Sequence, residues 1–98
     1  MKQILSYNSE YDNLCVAATA MDEKAGDVFR NHVKERAMQL LSVAEDEAEA
    51  LLNDEVPYIE DRRELSYNAD TGAAKIEFDG EFEIMQLADV PGPDCGTQ

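Results

Sequence analysis

The stretch Glu64 to Phe78, "ELSYNADTGAAKIEF", decides the fold. Both of its flanks alternate apolar and polar residues at period two, as half-buried strands do. Between them, Asn68-Ala-Asp-Thr-Gly-Ala73 suits a four-residue hairpin loop, with Gly72 supplying a left-handed backbone. That loop length pairs Tyr67 with Ala74 and Leu65 with Ile76, so all four side chains fall on one face and the register is self-consistent.

Downstream, Ala74, Ile76, Phe78, Gly80, Phe82 and Ile84 share one parity. A tight two-residue Asp79-Gly80 turn would pair Phe78 with Glu81 and scramble the faces. A bulge at Gly80 or a three-residue loop would keep them aligned. The parity therefore predicts one long bent strand, or a meander with a three-residue loop, with Lys75, Glu77, Asp79, Glu81 and Glu83 on the opposite face. From Val90 the chain, VPGPDCGTQ, is rich in Pro and Gly and reads as an irregular tail over 90–98.

Upstream, Phe29, Val33, Ala37, Leu40, Leu41, Ala44, Ala48, Leu51 and Leu52 repeat at helical spacing. They predict one amphipathic helix from Val28 to about Asn53, capped by Asp27, ended by Pro57 and followed by a connector over Val56 to Asp61. Tyr11, Leu14, Cys15, Ala18 and Met21 predict a shorter helix over Glu10 to Met21, and Lys2 to Tyr7 reads as a strand. "LSYN" occurs at Leu5 to Asn8 and again at Leu65 to Asn68; four residues are too few for a structural repeat unit. The expected fold is α+β: a single domain over 1–89, in which a small antiparallel sheet of two to four strands packs against a long amphipathic helix and a shorter one.

Composition bounds the function. Twenty-two acids against eight bases give a net charge of −14, which repels DNA, RNA and anionic membranes and favours a basic partner. The N-terminal residues lack the apolar run of a signal peptide, and no stretch approaches a membrane span, so a cytoplasmic protein is expected, or a virion component if the chain is viral. Cys15, in an apolar run, reads as a buried small hydrophobe, and Cys95 as a tail thiol. His32 is the single histidine, sits toward the polar side of its helix, and reads as solvated. No nucleophile signature surrounds any Ser or Cys, "YNADTG" fails the spacing of a calcium loop, and no Glu-x-x-His pair serves a di-iron centre. No enzyme and no cofactor are expected.

The acids themselves are the informative feature. In one continuous helix, Arg30, Lys34 and Arg36 would sit in the first half and Glu45, Asp46, Glu47 and Glu49 in the second, against the macrodipole. Glu77, Asp79, Glu81 and Glu83 would project from one strand face about 6.6 Å apart, close to the spacing of nucleic-acid phosphates. In composition, being small, acidic, Ala-rich and without ligand motifs, the chain resembles phage or mobile-element inhibitors that imitate DNA. The expectation is a basic protein surface, such as a nucleic-acid-binding protein, engaged by Asp46, Glu49, Glu77, Asp79, Glu81 and Glu83. The rival is a structural subunit of a virion or an oligomeric complex, a homo-oligomer included, in which the apolar stripe and the tail dock on neighbours.

Overall fold

A computed structural model describes residues 1–53 and 58–89, with the side chains of 58–60 left aside. The fold is α+β. Its strands are β1 (Lys2–Asn8), β2 (Asn13–Ala20), β3 (Tyr58–Glu60), β4 (Arg63–Asn68), β5 (Ala73–Phe78) and β6 (Glu81–Asp89), and its helices are α1 (Ala25–Leu40) and α2 (Glu45–Asn53). All neighbouring strands are antiparallel, in the order β2-β1-β6-β5-β4-β3, so the N-terminal hairpin is laid beside the last strand. Six strands among the described residues exceed the two to four expected. The Pro/Gly tail and the helix stop at Pro57 lie outside the described residues.

The β4–β5 hairpin has the register its sequence predicts, with Tyr67 opposite Ala74 and Leu65 opposite Ile76. Asn68 closes its loop by accepting hydrogen bonds at Oδ1 from the amides of Asp70 and Thr71 (2.9 and 3.1 Å). Gly72 takes φ +67°, and a Cβ there would stand 2.9 Å from the Leu87 side chain, so no other residue fits without displacement.

The segment read as a helix over Glu10 to Met21 is instead a turn and strand β2. The first LSYN ends in Asn8, whose Oδ1 accepts from the amides of Glu10 and Tyr11 (2.9 and 3.2 Å), the same side-chain turn that Asn68 makes. Asn8 pairs with Asn13 across four residues, as Asn68 pairs with Ala73. The repeat is therefore a shared hairpin device, and the pairing it nucleates overrides the helical spacing of Tyr11, Leu14 and Ala18.

Asp79 and Gly80 form a tight two-residue turn after all, with φ of 52° and 88° and Phe78 opposite Glu81. Positive φ at both positions matches the twist of the flanking strands. The locally stronger turn overrides the apolar parity, so Phe78 faces the helices and Phe82 the opposite side. The connector expected over Val56 to Asp61 likewise contains β3, paired with β4.

The long helix is two. α1 begins at Ala25, after a short 3-10 turn over Asp22–Lys24, with Lys24 rather than Asp27 at its cap. It ends at Leu40, beyond which Ser42 takes φ +58°, a left-handed residue just past the C-cap. α2 then runs back along α1, and both lie on one face of the sheet. Phe29, Val33, Ala37, Leu41, Ala48 and Leu52 meet Ile4, Leu65, Ala74, Ile76 and Met85 in a single core. Of the predicted apolar stripe, Leu40 and Leu51 are half-buried and Ala44 is exposed. The other face of the sheet has no helix on it among the described residues.

Candidate interaction surface and the polar cleft behind it

The break at Ser42 changes the meaning of the acidic run. Glu45, Asp46 and Glu47 occupy the first turn of α2, where carboxylates are favoured by the helix dipole. The folded-back arrangement also brings the bases of α1 against them. Arg30 lies 2.6 Å from Glu49, and Lys34 lies 3.1 Å from Glu49 and 3.2 Å from Glu45. The charge order that looked costly in one helix is self-complementary in two.

The strand acids do not form a ridge. Cross-strand partners share a face, so Glu81 and Glu83 point to the helix side with Phe78 and Ile76, while Glu77 points outward. Glu77 is ion-paired with Lys75 at 2.8 Å. Glu83 is 3% exposed and is held by Arg36 at both oxygens (2.7 and 2.8 Å), with Asn8 Nδ2 donating a third bond at 2.9 Å. Burial raises the Glu83 pKa, but the Arg36 and Asn8 hydrogen bonds outweigh that and leave it below the usual value. Of the six residues expected to meet a partner, Asp46 and Asp79 are exposed, Glu49, Glu77 and Glu83 are ion-paired within the fold, and Glu81 is half-buried.

Where β1, β2 and β6 meet, the sheet is inside out. Its helix side carries Ser6, Asn8, Asn13, Cys15, Glu81 and Glu83, and its outer side carries Leu5, Tyr7, Leu14, Val16, Phe82 and Ile84. Tyr7 and Phe82 rings lie 5.9 Å apart, with Lys75 Nζ 5.7 Å from the Phe82 centroid, so this cluster is packed within itself. It is nevertheless open to solvent: Leu14 is 69% exposed, Val16 52% and Ile84 42%. Clustered exposure of this kind marks an interaction site more often than scattered single residues do.

Behind that patch, under α1, lies a cleft of about 270 Å³ lined by Ser6, Asn13, Cys15, His32, Arg36 and Glu83 among others. Cys15, expected in the core, is a free and exposed thiol on its wall, because β2 replaces the helix that would have buried it. His32, expected in solvent, is half-buried with Nε2 sealed from water and lacking a protein partner. Burial lowers its pKa, offset in part by nearby Glu83, so the ring is neutral near pH 7. Cys15 and His32 share the cleft but no hydrogen bond joins them. Nor is any group of three or more His, Cys, Asp or Glu residues arranged to hold a metal ion among the described residues. The sequence alone does not reveal this cluster, because Ser6 and Asn8 reach it through the remote β1–β6 pairing and Cys15 through the β1–β2 hairpin; the repeated LSYN was the available signal.

No helix among the described residues is long and apolar enough to cross a membrane. No family model, curated protein or solved structure matches the chain.

Proposed function

We propose that the chain is a non-enzymatic interaction subunit of a larger assembly in the cytoplasm or, for a viral chain, in the virion. It docks through the outer face of the β1–β2–β6 corner, and its acids serve solubility and charge complementarity. The supporting observation is the inverted polarity of that corner: apolar side chains face out and a buried ion pair faces in. Covering Leu14, Val16 and Ile84 with a partner removes apolar surface from water at about 25 cal/mol per Å². A second reading, in which a basic partner binds the acids as it would bind nucleic acid, draws on the exposed Glu45, Asp46 and Glu47 of α2 together with Asp79.

Affinity purification with mass spectrometry at low salt and at about 0.5 M salt separates the two, because exposed charge pairs are screened and apolar contacts are not. The subunit reading expects a partner that survives high salt and is lost in Ile84→Lys. A partner that is lost at high salt, ignores Ile84→Lys and requires Asp46 and Asp79 overturns it in favour of the acidic surface.

A further inference from the structure

We infer that the β2 edge pairs with the β2 edge of a second copy of the chain, antiparallel about a twofold axis at Cys15, joining two sheets into one. This rests on the interaction-subunit reading and names a partner for its edge strand.

Charge selects the edge. The chain carries a net −14, so two copies repel, yet Asn13–Ala20 contains no charged residue. A basic partner would gain nothing from that strand, whereas a neutral strand of another copy meets no like charge there. The opposite edge differs: among the described residues β3 spans three residues and runs into Asp61 and Arg62, a short, charged edge of the kind that resists pairing. β2 has eight residues and lacks both protections.

The side-chain pattern then fixes the register. Asn13, Cys15 and Ala17 line the cleft side, while Leu14 and Val16 face outward, up to the bulge after Val16 where the register against β1 shifts. Residues opposite one another in an antiparallel pair share a face. Centring the axis on Cys15 sets Leu14 opposite Val16 of the second copy, Asn13 opposite Ala17, and Cys15 opposite Cys15, so every pair from Asn13 up to the bulge shares a face. Centring it on Val16 opposes outward Leu14 to inward Ala18 across the bulge, and centring it on Leu14 sets Val16 against Asp12 of the turn. The Cys15-centred register confines the face mismatch to Asp12 of the turn, opposite Ala18 beyond the bulge, and joins Leu14 and Val16 of the two copies into one apolar strip.

Directly opposed residues stand about 4.5–5.5 Å apart at Cα, within the range a disulfide spans. The test uses the full chain carrying Cys95→Ser, with sedimentation equilibrium followed by mild oxidation. The expected results are a dimer, a Cys15–Cys15 cross-link, dimerisation that tightens as salt screens the net charge, and at least a tenfold weaker association in Val16→Glu or in the independent variant Leu14→Lys. A monomer at every concentration and salt overturns the inference, as does a dimer indifferent to both variants, or one that cross-links through Thr19→Cys (in Cys15→Ser) and not through Cys15. A monomer whose purification partner still depends on Ile84 removes the self-pairing and leaves the subunit reading intact. A monomer without such a partner removes both.

Discussion

The two LSYN hairpins are the same local object put to opposite uses. Each ends a strand in an Asn that caps a four-residue loop through the same pair of amide bonds. In the second copy Leu65 is buried under the helices and Tyr67 stacks at 6.0 Å on Phe29, while Ser66 faces out. In the first copy Leu5 and Tyr7 face out, and Ser6 and Asn8 are buried beneath α1 at 8% exposure each. Loop chemistry fixes where a hairpin turns. Which face then meets the core is set by the neighbouring strand, here by β6 after its tight Asp79-Gly80 turn.

Truncating the equivalent leucines separates the two hairpins most strongly. Leu65→Ala, which opens a cavity in the core, is expected to cost about 3 kcal/mol, whereas Leu5→Ala on the half-exposed outer face costs under about 1 kcal/mol in the isolated chain. Urea denaturation curves of the two variants decide it, and equal losses would mean that the first hairpin is not inverted. Next in size is Glu83→Gln, which leaves the Arg36 guanidinium without its carboxylate in a partly buried site. A loss of about 2 kcal/mol is expected, less than for a fully dry pair because Arg36 retains 27% exposure. Double-mutant analysis with Arg36→Met should recover part of it.

The paired asparagines give a smaller contrast. Asn68→Ala removes only the loop bonds and should cost about 1 kcal/mol, while Asn8→Ala also strips the hydrogen bond to buried Glu83 and should cost about twice that, read from thermal midpoints. The smallest effect is on pH. His32 is held below its ordinary pKa, so as pH falls through about 6.5 the unfolded chain binds a proton before the folded one does, and stability declines. Glu83, held below the usual carboxylate value, adds its own loss only at lower pH, as it protonates in the fold. The denaturation midpoint should therefore fall between about pH 7 and 5.5, and His32→Gln should flatten that slope while leaving the more acidic one.

Much of the framework was legible because it depends on local chemistry. The β4–β5 register followed from loop length and alternation, and Phe29, Val33, Ala37, Leu41, Ala48 and Leu52 appeared as a buried stripe at helical spacing. What escaped was set by contacts remote in sequence. Ser42 carries no breaker signature, and its left-handed turn is stabilised by α2 folding back so that Arg30 and Lys34 meet Glu49 and Glu45. The acidic strip was a parity inference, and one tight turn reversed it by carrying Glu83 to Arg36, 47 residues away in sequence. Asp46 and Asp79 alone among the six expected contact residues stand exposed.

The polar lining beneath the first hairpin also has a dynamic consequence. Ser6, Asn8 and Asn13 give α1 little apolar surface to grip, so beyond Ile4 the β1–β2 arm is tied to the body mainly by its ladder with β6. Such a unit opens before the rest of the molecule does. Its amides should therefore exchange with solvent ahead of those in β4 and β5, and a protease should find this arm first unless another chain has covered it.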